Sequence, residues 1–156
     1  MERENFCATI FDEMVEIYKT GDISALCLSL QQEFDADVPL FLICLMADRA
    51  GLGLDPAGFA AWLQASAAWR DEVIKPLRAL RVRLKPKIAD PQINDFRERI
   101  KSCELEAERL HVEHLAAEFL HGSGDGALAR RYLLSLGLSA PQAGQRIDAI
   151  ACRIAT

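Results

Sequence analysis

The sequence predicts an all-α fold, an irregular bundle of six or seven helices with one long helix near residues 91–121. Apolar residues recur at spacings of three and four along nearly every segment, which is the period of a helix face. No segment alternates polar and apolar residues regularly enough to predict a strand. Two pairs, Asp55-Pro56 and Asp90-Pro91, are typical of helix starts, because aspartate caps the first turn and proline needs no backbone donor there.

The first two helices are separated by a glycine. The first helix spans about residues 4–19, and Gly21 lies where a helix should end. We expect Asp22 to cap the second helix, whose apolar residues recur every three or four positions as far as Phe34. Asp35-Ala36 then interrupts the pattern before the third helix.

The third helix is predicted to be the centre of the bundle. Asp37 can cap it, and Pro39 lies in its first turn. Residues 38–47 are apolar on nearly every side, which indicates a helix buried all round. A membrane-spanning helix needs about 20 apolar residues, so this shorter run predicts a protein core.

A basic segment, residues 69–85, continues the fourth helix that begins at Asp55-Pro56. Pro76 lies inside this segment. Proline lacks a backbone donor, and its ring clashes with the preceding turn, so we expect a kink or break near residues 70–75.

The longest helix, about residues 91–121, is expected to reach beyond the compact body, because a helix of about 30 residues is about 45 Å long. Residues 122–126 predict a flexible loop, and two short helices follow near residues 127–136 and 141–154. We expect residues 1–156 to form one helical domain. The end of the long helix and the two short helices would present surplus apolar residues to a partner: Leu110, Leu115, Leu120, Leu133, Leu134, Ile147 and Ile150.

Composition limits the functions to consider. The chain of 156 residues carries a net charge of −5 and has a sequence pI near 5.2, which argues against a general nucleic-acid binder. The charged N-terminus lacks the pattern of a signal peptide. Five cysteines, an odd number without any CxxC pair, indicate reduced thiols in a cytosolic protein.

Seven short motifs lie in order between about residues 15 and 110. They are Tyr18 with Gly21-Asp22-Ile23, Cys27-Leu28-x-Leu30-Gln31, Ala36-Asp37-Val38, Trp69-Arg70, Pro76-Leu77-Arg78-x-Leu80-Arg81, Leu84-Lys85 and Glu104-Leu105-Glu106-Ala107-Glu108-Arg109. Together they resemble an uncharacterised proteobacterial family of short helical proteins, a domain of unknown function. The resemblance implies a bacterial, cytosolic, all-helical protein, and it supplies no catalytic residues. The chain has Asp35 where that family tends to have glycine and Met46 where tryptophan is common, so no ligand contact carries over to those two positions.

Basic residues follow one side of the segment 69–85, and three roles are open to them. Nucleic-acid phosphates are one target, but no aromatic residues interleave for base stacking. A pocket for an anionic molecule is another, since the arginine fork fits carboxylate or phosphate. Pairing with Glu104, Glu106 or Glu108 of the long helix is the role that we favour for Arg70, Arg78 and Arg81, because buried charges need partners.

Two Glu-x-x-His pairs, Glu108 with His111 and Glu118 with His121, could each hold a metal ion on one helix face. Both pairs lie on the same helix, about 15 Å apart, whereas a di-iron site draws its pairs from different helices. We therefore expect a solvated or salt-bridged glutamate face, with no metal and no cofactor.

No catalytic constellation is visible in the sequence, although a serine and a histidine far apart in sequence can meet in a fold. We expect a cytosolic protein-interaction or regulatory module, in which the C-terminal helices bind a protein partner or a second copy, with no nucleic-acid or membrane partner. The alternative is a binding protein or enzyme for an anionic ligand, using polar residues between helices: Gln31, Arg70, Arg78, Arg81, Glu104 and Glu108.

Overall fold

A computed structural model describes residues 3–121 and 126–154 of the chain. Its α-helices are α1 (Arg3–Lys19), α2 (Ile23–Phe34), α3 (Val38–Ala50), α4 (Pro56–Trp69), α5 (Lys75–Leu84), α6 (Pro91–Ala117), α7 (Leu128–Ser135) and α8 (Ala140–Ile154). A π-helical turn (Arg70–Ile74) joins α4 and α5 into one rod, which ends in a 3₁₀ turn (Lys85–Lys87). The described ranges thus contain seven separate helices, and the predicted all-α bundle is confirmed.

Aspartates begin three of the helices, as predicted. The carboxylates of Asp37, Asp55 and Asp90 accept a backbone N–H from within the next three residues, at 3.3, 2.6 and 2.9 Å. Asp22 precedes α2 but makes no such bond, and its carboxylate pairs instead with Arg153 of α8. The prediction that Asp22 caps α2 is therefore wrong.

The junction between α2 and α3 depends on Asp35. Its φ is 56°, and it is the one non-glycine residue with positive φ in the ranges that the structure describes. The left-handed region costs a residue with a side chain about 1–2 kcal/mol, and aspartate tolerates it better than most. Glycine, which has no Cβ, would adopt this conformation without that cost.

The core surrounds α3, as predicted. Every residue from 40 to 47, Met46 included, is buried. The helices α1, α2, α6 and α7 contact α3, and α8 packs against α7 and α2.

The irregularity expected near Pro76 is the π-helical turn Arg70–Ile74, and the chain stays helical through it. A widened turn accommodates the missing N–H and the proline ring. Each extra residue rotates the helix face beyond it by about 100°. The rod faces α6 with both α4 and α5.

The helix α6 ends at Ala117, earlier than the expected residue 121. The chain leaves the helix where Phe119 enters the core, with its ring centroid 5.3 Å from that of Trp62. Leu120–His121 then pairs antiparallel with Leu52–Gly53, a two-residue pairing too short for any sequence pattern to predict. The predicted loop at residues 122–126 lies outside the described residues apart from Gly126.

The C-terminal helices pack on the core of their own chain, in contrast to the expectation that they need an outside surface. Leu115, Leu133 and Ile150 are buried, whereas Leu110 and Leu134 stay exposed. The side chain of Leu120 lies outside what the structure describes.

The part of α6 that leaves the core is its N-terminal third. No residue of α5, and none of residues 91–99, is buried. These two stretches pack against each other and are joined through the 3₁₀ turn. We refer to residues 75–99 as the arm. Across the described ranges, no helix combines the length and the apolar character that crossing a membrane requires.

Candidate functional site

A pocket of about 350 Å³ lies between α1, α2, the start of α3, the π-helical turn and α6. One part of its lining is apolar and the other is polar. The polar side chains are Tyr18, Lys19, Gln31, Asp37, Arg70, Arg78, Glu108 and His111. The pocket therefore brings together polar groups from six elements, which are α1, α2, the start of α3, the π-helical turn, α5 and α6.

Four of the six residues predicted to bind a ligand line this pocket: Gln31, Arg70, Arg78 and Glu108. The other two, Arg81 and Glu104, lie in the adjoining ion-pair cluster and not on the lining.

Arg70 is the least satisfied charged group of the pocket. It is the first residue of the π-helical turn, and its side chain is 25% exposed. Its Nη1 lies 3.6 Å from Oδ2 of Asp37, a distance longer than a hydrogen bond. Its Nε is buried and has no hydrogen-bond acceptor among the described residues. The sequence predicted a glutamate partner for Arg70, and that prediction is wrong, because the carboxylate that Arg70 faces is that of Asp37 at the start of α3.

Asp37 is fixed by three contacts. Its side chain caps α3, and its Oδ2 faces Arg70. Its backbone N–H donates to the hydroxyl of Tyr132 on α7 at 2.7 Å. Burial raises the pKa of Tyr132, so this hydroxyl stays protonated. The carboxylate beside Arg70 is thus held in place from outside the pocket.

Arg78 and Arg81 pair with Glu104, which confirms the predicted contact between the basic segment and the long helix for these two arginines. The Nε atoms of Arg78 and Arg81 lie 2.8 and 2.5 Å from the Glu104 carboxylate. Burial opposes the ionisation of Glu104, but hydrogen bonds from Arg81 and Arg78 outweigh it and lower the pKa of Glu104. Arg78 also donates to Glu108 at 3.0 Å. Burial raises the pKa of Glu108 by more than Arg78 lowers it.

His111 lies at the base of the pocket, next to a serine that the sequence did not connect with it. Its Nε2 is 3.0 Å from Oγ of Ser66 on α4, and both residues are buried. Burial lowers the pKa of His111, so the ring is neutral near pH 7. Ser66 is absent from the lining of the pocket. The hydrogen bond therefore orients the imidazole of His111. The Ser66 hydroxyl is buried and does not face the pocket, so it is not an accessible nucleophile there.

Two tryptophans on the Ser66 side of α4 fasten the rod to α6. The indole N–H of Trp62 donates to the carbonyl of Leu115 at 3.0 Å, and that of Trp69 donates to Ala107 at 3.1 Å. The spacing of residues 62, 66 and 69 places them on one helix face, and all three bond to α6. This spacing is the sequence signal that places Ser66 on the same side of α4 as the two tryptophans.

The acidic and histidine residues offer little to a metal ion. Within residues 3–121 and 126–154, no group of three or more His, Cys, Asp or Glu side chains could hold one. Of the two Glu-x-x-His pairs, Glu108 and His111 both line the pocket, and the side chain of His121 lies outside the described residues. Chemically, the site offers an unsatisfied guanidinium, a neutral imidazole and a carboxyl group with a raised pKa.

Comparison with known proteins gives one family. A family model described as "Protein of unknown function (DUF2390)" matches residues 9–115, close to the span of the motifs. No curated protein and no solved structure matches the chain.

Proposed function

The chain belongs to this family of proteins of unknown function, and from its pocket we propose that it binds a small anionic molecule with Arg70 as the anchor. The matched region, residues 9–115, contains every residue that lines the pocket. The family assigns no reaction, so the proposal rests on the geometry of the site.

The observation that carries the proposal is the unsatisfied guanidinium of Arg70. A guanidinium presents five donors in a planar fork that matches carboxylate or phosphate oxygens. The Asp37 carboxylate is too far to accept a hydrogen bond, and Nε has no described acceptor. An unpaired buried donor costs about 1–3 kcal/mol. A ligand anion beside Arg70 would supply acceptors to the guanidinium and match its charge.

Calorimetric titration with inorganic phosphate, acetate and benzoate tests the proposal. We expect at least one of these anions to bind the wild-type protein and to bind Arg70→Met at least ten-fold more weakly. Arg83→Met is the matched control, since Arg83 is exposed on α5, away from the pocket. Equal binding by wild type and Arg70→Met, or no binding of any anion, would end the proposal.

A second candidate function is protein interaction, which the sequence predicted. Leu134 is 40% exposed on α7 and supports a contact through the C-terminal helices. The arm offers another surface, since it exposes large apolar side chains: Leu80, Val82, Ile88 and Phe96. Light scattering of Leu134→Asn and Val82→Asn tests both surfaces. Self-association through α7 predicts a smaller molecular mass for Leu134→Asn alone, and self-association through the arm predicts a smaller molecular mass for Val82→Asn alone. If neither variant changes the mass of an oligomeric wild type, neither surface forms the contact.

We also propose a cytoplasmic location. Cys103 and Cys152 are exposed thiols that form no disulfide, a state that reducing compartments maintain.

A further inference from the structure

We infer that the anion in this pocket is amphiphilic, with a single carboxylate at one end and an unbranched apolar body. This inference rests on the proposed function and adds the chemical class of the ligand. Three features of the pocket support the inference: the apolar part of the lining, the charges on the lining and the volume.

The apolar part of the lining comes from several helices and from the π-helical turn. Its members include Phe11, Met14, Leu42, Ile74, Leu105 and Val112. The residues from α1 recur at positions 11, 14, 15, 18 and 19, which is one helix face. That face is apolar at 11, 14 and 15 and ends in Tyr18 and Lys19, so a ligand lying along α1 meets apolar contacts before polar ones. An inorganic ion would leave this apolar part without an occupant.

The charges of the pocket favour one negative charge. Two carboxyl groups, Asp37 and Glu108, lie on the same lining as Arg70. Arg78 already donates from Nε to Glu104 and from Nη2 to Glu108. Lys19, the third cation of the lining, has a side chain that is 67% exposed. Arg70 is therefore the most enclosed cation without a hydrogen-bonded carboxylate, and a second negative charge near it would face Asp37 and Glu108. A monocarboxylate satisfies Arg70 without that repulsion.

The volume of the pocket sets the length of the ligand. A cavity of about 350 Å³ lies near the small end of the range of about 300–1,000 Å³ for ligand pockets. At roughly 30 Å³ for each water-sized group, it holds about a dozen non-hydrogen atoms. A straight carboxylate of about ten carbons fills this space.

The test is a homologous series of linear monocarboxylates, from acetate to dodecanoate, titrated into the full-length protein by calorimetry. We expect the Kd to fall about four-fold for each added methylene, which corresponds to about 0.8 kcal/mol, and to level off near ten carbons. Linear alcohols of equal length should bind at least ten-fold more weakly, because they lack the charge that pairs with Arg70.

Two pairs of variants locate the binding. Arg70→Met should weaken every carboxylate at least ten-fold, and Arg70→Lys, which keeps the charge but loses the fork, should weaken them less. Leu105 is 54% exposed at the mouth of the pocket, so Leu105→Asn is expected to fold and to reduce the gain per methylene. Leu134→Asn, the same change at an exposed leucine away from the pocket, should leave the series unchanged.

The outcomes separate this inference from the proposed function. If acetate or phosphate binds through Arg70 and longer chains bind no better, the inference fails and the proposed function holds. If alcohols bind as tightly as carboxylates, the cavity takes neutral apolar molecules and the inference fails. If neither phosphate nor any member of the series binds, both fail.

Discussion

Replacing Arg81 by methionine tests whether the Arg–Glu cluster stabilises the fold. The Glu104 side chain is 8% exposed, and Arg81 donates to it from Nε at 2.5 Å and from Nη2 at 3.3 Å. Arg78 supplies a third hydrogen bond at 2.8 Å. The substitution therefore removes two of the three described hydrogen bonds to a buried carboxylate while leaving the carboxylate in place.

The expected loss of stability follows from these contacts. Removing one partner from a buried ion pair costs about 3–5 kcal/mol. In this cluster Arg78 remains bound to Glu104, and Arg81 is itself 24% exposed, so water and the second arginine recover part of the loss. We expect Arg81→Met to lower the free energy of unfolding by about 2 kcal/mol.

Urea denaturation measures this change, with Arg83→Met on the same helix as the control. The control should lie within about 0.5 kcal/mol of wild type, as is usual for surface substitutions. In a Glu104→Gln background, Arg81→Met should cost much less, because the stranded charge is gone. Anion affinity should not change, since Arg81 does not line the pocket. If Arg81→Met has the same free energy of unfolding as the wild-type protein, the cluster does not stabilise the fold. If Arg81→Met loses affinity for the anion, Arg81 contacts the ligand.

Three further predictions follow from backbone geometry, a single hydrogen bond and a shifted pKa. Asp35→Gly should stabilise the protein by about 0.5 kcal/mol and Asp35→Ala should destabilise it, because φ is 56° there; the opposite order in urea denaturation would contradict this. Tyr132→Phe leaves the N–H of Asp37 without its acceptor and should cost about 1–2 kcal/mol, so an unchanged Tm would refute that role. Burial lowers the pKa of His111 below its ordinary value of 6.5. As the pH falls, the imidazole therefore binds a proton in the unfolded chain before it does so in the folded protein. Stability should fall as the pH drops below about 6.5, and His111→Gln should flatten this part of the profile; an identical profile would show that His111 does not cause it.

Local signals in the sequence predicted much of the fold. The Asp-Pro pairs identified the starts of α4 and α6, because capping and proline preference act within one turn. The apolar run of residues 38–47 identified the central helix, since burial on all sides removes any polar face. Charge complementarity between distant segments predicted that Arg78 and Arg81 pair with glutamates of α6, and the structure gives Glu104 as the shared partner.

The environment of Arg70 could not be predicted in the same way. Asp37 reaches Arg70 from the start of α3, and the π-helical turn at Arg70–Ile74 rotates the helix face beyond it by about 100°. Sequence patterns assume one period throughout a helix, and an inserted residue breaks that assumption without leaving a periodic trace. The contact of Ser66 with His111 depends on the relative rotation of two helices, which no single segment encodes.

The hydroxyl of Tyr132 links the C-terminal helices to the pocket. The matched family region ends at residue 115, yet the backbone of Asp37, which carries the carboxylate beside Arg70, is hydrogen-bonded to a side chain beyond that boundary. The shared region therefore contains the pocket, while the C-terminal helices brace one of its walls. Changes confined to that C-terminal region can therefore shift the Asp37 carboxylate without replacing any residue that lines the pocket, and on the proposed function such shifts would change the affinity for an anion.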